Sequence, residues 1–225
     1  MIPGSIVVQR AAGRPQQLVL LFHGVGATPD SLLPLGQGLA GAFAHATVVS
    51  VAAPLPSDIS SGRQWFSVQG VTEANRAERV AAIMPAFLAE VRAWQQAEDV
   101  TATATALVGF SQGAIMALEA TRASPTPAGR VVAIAGRFAS LPAHAALHTT
   151  LHLIHGKSDP VIPYRHTIEA AEHLIGLGGD VTADVLPFVG HEVNADIVDV
   201  MLERLQGHIP KRLCDEALRE PRARR

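Results

Sequence analysis

Cys214 is the only cysteine in the 225-residue chain, so no intramolecular disulfide can form, and the chain suits a reducing compartment. Its setting reads as a small apolar position on a C-terminal helix rather than as a catalytic thiol. Long apolar runs are missing as well. No stretch approaches the ~18 residues of a membrane span, and Met1 to Arg10 lacks the apolar core of a signal peptide. The expectation is a cytoplasmic protein with no membrane span. Charge of one sign is also scarce: the net charge is -2, with no basic stripe, which argues against nucleic acid as the main partner. A metal-ligand set is lacking too. His144, His148, His152 and His155 recur at intervals of three or four, but the first two sit in an unpatterned connection and the last two in a strand. No Cys or Glu completes them, so no metal is expected.

What is present is enough apolar sequence, 48% of residues, to bury a full core, and one α/β domain over 1–225 is expected. Apolar segments with strand character occur at Ser5–Gln9, Gln17–Phe22, Ala46–Val51, Ala104–Val108, Arg130–Ala135, Thr150–His155 and Val181–Leu186. Helical segments lie between most of them: from about Ser31 to Ala40 capped by Asp30, Thr72 to Ala97 with a kink at Pro85, Ala114 to Ala120, and Tyr164 to Leu177 closed by Gly178-Gly179. Helices from about Asn194 to Gln206 and Lys211 to Leu218 close the chain, and 220–225 reads as a frayed basic tail. Alternating strands and helices predict a mostly parallel sheet with helices on both faces, with ligands at the carboxyl ends of the strands. The Pro- and Ser-rich connection from Ala53 to Gly70 is too long for a simple turn and reads as functional.

Gly109-Phe110-Ser111-Gln112-Gly113 stands between a strand and a helix. A serine there must sit in a cramped turn that lifts its hydroxyl off the sheet, and glycines two residues away on either side leave room for it. The bland alternative is a glycine-flanked serine that merely caps a helix. Context favours a nucleophile. Asp159, His191 and the His23-Gly24-Val25 loop each follow a predicted strand, so a parallel sheet brings them to the same edge as Ser111, in the chain order Ser, Asp, His. In that arrangement His191 takes the Ser111 proton, Asp159 orients the imidazole, and the backbone N–H groups of Gln112 and Val25 receive the oxyanion. Asp184 and Glu192 are outside candidates for the acid, and Asp159 before a proline could instead initiate a turn. His23 and Gly24 are placed at the substrate pocket, where His23 props the glycine loop rather than reacts. Trp65 and Phe66 either wall a substrate pocket or fill core. Arg63 either meets an anionic group or is a solvated surface residue.

Leu21-Phe22-His23-Gly24-Val25-Gly26, Trp65-Phe66, the Ser111 pentapeptide, Asp159-Pro160-Val161-Ile162-Pro163 and Gly190-His191 resemble the phospholipase/carboxylesterase family, which includes acyl-protein thioesterases. Gly62 to Gly70 and Leu153-Ile154-His155-Gly156 resemble the bacterial esterases of that family. The resemblance spans about Ile6 to Leu218. It implies an α/β-hydrolase fold, serine esterase activity without a cofactor, Ser111, Asp159 and His191 as the triad, and Val25 and Gln112 as oxyanion donors. This chain departs from many relatives in having Ser67 after Trp65-Phe66, where they carry Asp, and in a polar Ser57–Gly62 stretch where eukaryotic thioesterases have a more apolar lid. Short to medium acyl esters are therefore the expected small-molecule substrates. An acyl thioesterase or lysophospholipase using the same residues is the alternative, and a catalytically silent hydrolase-fold binding module is a remote one. Apolar helix faces serve cores and homodimer interfaces alike, so a dimer is compatible with the sequence.

Overall fold

A computed structural model describes residues 1–219; the tail expected over 220–225 lies outside them. The strands are β1 (Ile6–Gln9), β2 (Gln17–Phe22), β3 (Ala46–Val51), β4 (Leu55–Pro56), β5 (Arg63–Gln64), β6 (Thr105–Phe110), β7 (Arg130–Ile134), β8 (Thr150–Gly156) and β9 (Asp180–Leu186). The helices are α1 (Leu33–Ala42), α2 (Glu73–Glu98), α3 (Gln112–Ala120), α4 (Arg165–Gly176), α5 (Ala195–Gly207) and α6 (Lys211–Arg219). Seven strands form one sheet in the order β1-β3-β2-β6-β7-β8-β9. Only the edge strand β1 runs antiparallel to its neighbour; every other pair is parallel.

The near-continuous apolar runs of the central strands follow from burial on both faces. In β2, Leu18, Leu20 and Phe22 point into one core with Val80, Phe87 and Val91 of α2, while Val19 and Leu21 point into the other with Leu35 and Leu39 of α1 and Met201 of α5. Alternation along one strand therefore feeds two layers of helix. No helix among the described residues is long and apolar enough to cross a membrane.

One local feature differs from the sequence expectations and two more add to them. Asp30 does not cap a helix. It lies inside a 3-10 turn, Pro29–Leu32, and accepts from the Thr28 hydroxyl at 3.1 Å, so α1 starts later, at Leu33. α2 contains Pro85 within its length, and its start is fixed by a reciprocal cap between Thr72 and Asn75. Within the Ala53–Gly70 connection β4 and β5 pair as a two-stranded antiparallel ribbon.

Candidate active site

The single residue between β6 and α3 is Ser111, at φ 53°, ψ -116°. For a residue with a side chain this backbone is strained, at a typical cost of about 1–3 kcal/mol. The surroundings enforce it. A Cβ on Gly113 would stand 2.0 Å from the Phe22 carbonyl oxygen, and one on Gly109 would stand 2.4 Å from Gly113 backbone atoms. Glycine at these two positions lets α3 pack directly against the ends of β2 and β6, and the Ser111 amide is anchored to the Ile134 carbonyl of β7 at 3.0 Å.

Asp159 and His191 come from the loops after β8 and β9, on the same sheet edge. His191 Nε2 accepts from the Ser111 hydroxyl at 2.9 Å, and His191 Nδ1 donates to Asp159 Oδ2 at 2.7 Å. The imidazole stacks on Phe110, ring centroids 5.0 Å apart. Asp159 is fully buried at its side chain. Its Oδ1 accepts the Val161 and Ile162 amides at 2.7 and 2.9 Å. Burial by itself raises the Asp159 pKa, but the His191 hydrogen bond and the two amides outweigh it, and the carboxyl titrates below its usual range. Of the outside candidates, Asp184 is engaged by Arg204 at 2.6 and 2.8 Å, and Glu192 is exposed.

A fourth member was not foreseen. His155, at the end of β8 and fully buried, shares its Nε2 hydrogen between Asp159 Oδ2, at 3.1 Å, and the Ile162 carbonyl, at 2.8 Å, while its Nδ1 accepts from the Thr167 hydroxyl at 2.7 Å. Burial pushes its pKa down, which fits this neutral, single-donor form. Its position four residues before Asp159 was the available signal. The histidine series masked it, although the odd spacing of His152 and His155 on a strand sends them to opposite faces. Among the described residues no group of three or more His, Cys, Asp or Glu is placed to hold a metal.

His152 lies on the other face, with its pKa pushed down to about 3, chiefly by burial and then by Arg130. The unfolded chain therefore binds a proton that the folded chain refuses between pH about 3 and the ordinary 6.5. Stability contributed this way is complete above that window and is lost as the pH falls through it, by about 1 kcal/mol per pH unit. His23 and His155 are shifted in the same direction, again first by burial. Melting temperature should drop between pH 7 and pH 5, with a shallower slope in His152→Gln; an unchanged slope would remove His152 as a cause.

The first loop is built around His23, which is fully buried; neither it nor Gly24 lines the cleft beside Ser111, so His23 props the loop instead of walling a substrate pocket. Its Nδ1 donates to the Gly24 carbonyl at 2.8 Å and its Nε2 accepts the Ala53 amide at 3.1 Å. A Cβ on Gly24 would come within 3.2 Å of the Ser111 Cβ, so glycine lets the loop close over the serine. The long connection braces this loop. Gly26 N–H donates to the Arg63 carbonyl and Arg63 N–H to the Ala27 carbonyl, both at 2.9 Å. Arg63 is half-buried rather than fully solvated, and its guanidinium donates to the carbonyls of Ala53 and Pro54. Among the described residues, no protein acceptor takes the amides of Val25 or Gln112.

Trp65 and Phe66 both belong to the buried core, and Phe66 reaches the cleft as well. Trp65 is 1% exposed, packed against Phe22 and Phe87 with its indole N–H on the His23 carbonyl at 2.9 Å; it is core. Phe66 lines a cleft of 630 Å³ together with Val25, Ser111 and Gln112. The Gln112 side chain ties the two together, accepting the Trp65 amide at 2.7 Å and donating to the Phe66 carbonyl at 2.8 Å.

A mostly parallel sheet with helices on both faces, and a strained serine at the carboxyl end of a central strand, define an α/β-hydrolase. Comparison with known proteins refines the class. The family described as Phospholipase/Carboxylesterase matches residues 3–211. Esterase YpfH of Escherichia coli K12 is 52% identical over 212 residues, covering 94% of this chain and 91% of that protein. An acyl-protein thioesterase 1 of Gibberella zeae is 30% identical over 112 residues, 46% of this chain and 48% of its own. The crystal structure of esterase PE8 superposes with a TM-score of 0.78 at 27% identity, covering 89% of this chain and 95% of that one. The chain thus belongs to the phospholipase/carboxylesterase family and is a hydrolase of ester bonds.

Proposed function

We propose that the protein is a serine carboxylesterase that hydrolyses short to medium acyl esters through an acyl-enzyme. The observation that carries this reading is the unbroken hydrogen-bond chain from Ser111 through His191 to Asp159, residues 80 and 32 positions apart in sequence, beside two backbone amides without a protein acceptor. Ser111 Oγ attacks the ester carbonyl carbon while His191 Nε2 takes its proton. The Val25 and Gln112 amides hold the oxyanion, with α3 directing its N-terminal dipole at the same point. Collapse expels the alcohol, which leaves with the proton from His191. Water then repeats the sequence on the acyl-enzyme and releases the acid. Asp159 keeps the Nδ1 hydrogen in place and stabilises the imidazolium. The small-molecule preference is supported by the 630 Å³ cleft and by the polar Ser57–Gly62 stretch at the lid position.

A fluorophosphonate probe should label Ser111 in the folded protein at one equivalent. Turnover across esters from acetyl to palmitoyl should peak at the short to medium end. The same series of thioesters, run in parallel, separates the oxygen-ester reading from a thioesterase. Absence of labelling in folded protein would overturn the assignment of Ser111.

A further inference from the structure

The cleft that contains Ser111 is apolar only in part. Ile115, Val161 and Ile162 contribute to its lining, but so do Arg76, Arg137, Arg165, His166 and a single carboxylate, Glu73. His166 adds no charge near neutrality, since burial and the neighbouring Arg137 push its pKa down. Three arginines against one carboxylate leave the cleft positive in a chain whose net charge is -2.

Two of these arginines share Glu73. Arg137 donates to both of its oxygens, at 3.2 and 2.8 Å, and Arg76 donates to Oε1 at 2.7 Å. The Arg137 and Arg76 side chains are only 16% and 20% exposed. The Nε of Arg76 is buried with no hydrogen-bond partner among the described residues. The single carboxylate of Glu73, between the start of α2 and the segment after β7, balances the charge of one guanidinium and not of two. The second arginine is left partly unneutralised, and Arg165, exposed at the start of α4, has no carboxylate partner among the ion pairs of the described residues. Arg137 follows by three residues the Ile134 carbonyl that anchors the Ser111 amide, so positive charge and nucleophile emerge from neighbouring strands. Guanidinium groups present paired donors that match a carboxylate, and a cleft of one sign raises the local concentration of substrates of the other.

We propose that the substrate is an ester bearing a second group, a carboxylate, which docks on Arg137, Arg76 and Arg165 while its ester carbonyl sits at Ser111. The apolar lining accommodates the methylenes between the two. This rests on the reading of Ser111 as the nucleophile.

The test is kcat/KM by pH-stat at low salt for monoethyl glutarate and monoethyl adipate against ethyl butyrate and ethyl hexanoate, with O-butyryl glycolate as the arm that carries the carboxylate on the alcohol side. At least one carboxylate arm should exceed its neutral counterpart by about tenfold or more, mainly through KM, and the excess should shrink as salt is raised. Which arm does so identifies the half of the ester that bears the charge. The ratio should fall several-fold in Arg137→Gln and Arg165→Gln and rise in Glu73→Gln, with melting temperature as the check on folding. A ratio near one in the wild type, or one that none of the three substitutions moves, overturns the proposal. Ser111-dependent turnover of neutral esters in that case leaves the esterase reading standing; no turnover of any ester together with no fluorophosphonate labelling overturns both.

Discussion

Ser111→Ala should lower kcat/KM for acetyl and butyryl esters by at least about a thousandfold, with little change in melting temperature. The Ser111 hydroxyl is aimed at His191 Nε2, at 2.9 Å, and alanine keeps the Cβ that the turn already accommodates. The Val25 and Gln112 amides remain, so on the proposed reading the residual rate reports what they contribute without a nucleophile. The measurement is steady-state turnover of purified variant and wild type at matched concentration. Activity within tenfold of wild type would move the nucleophile elsewhere.

Asp159→Asn should cost about ten-thousandfold in kcat, and here the reason lies in donor counting. Four donors converge on this carboxylate: two backbone amides on Oδ1 and the two histidines His191 and His155 on Oδ2. An asparagine has one oxygen and one NH2. With the oxygen toward the amides, the NH2 confronts His191 Nδ1, which must give up its hydrogen, so Nε2 becomes the protonated nitrogen facing Ser111 and cannot accept. Turned the other way, the NH2 meets two backbone N–H groups and leaves them unsatisfied, at about 1–3 kcal/mol each. Both orientations harm the protein, the first in activity and the second in stability. A pH series should show the loss partly relieved at high pH, where hydroxide substitutes for the missing base. A variant with wild-type kcat would mean that Asp159 does not orient His191.

The strand positions were readable because central strands buried on both faces must be apolar throughout, and Gln17–Phe22 and Ala46–Val51 run as the sequence indicated. Ser111 was readable for a steric reason, its two flanking glycines. The β4–β5 ribbon was not, since two-residue strands carry no period. Trp65 and Phe66 are adjacent, chemically alike and both buried, and only the tertiary structure brings Phe66 into the lining of the cleft as well. His155 was hidden in a spacing that imitated a metal site. The arginines of the cleft were illegible as a group, because Arg76, Arg137 and Arg165 come from three distant segments.

Local chemistry in the chain thus determined which segments are strands, which serine sits in the tight turn, and the order in which acid and imidazole follow it; these depend on steric and burial preferences of near neighbours. Tertiary structure decided which donors converge on Asp159 and which charges share the cleft with Ser111. Distances between residues remote in sequence are set by how the sheet and its helices pack, and no run of consecutive residues encodes them.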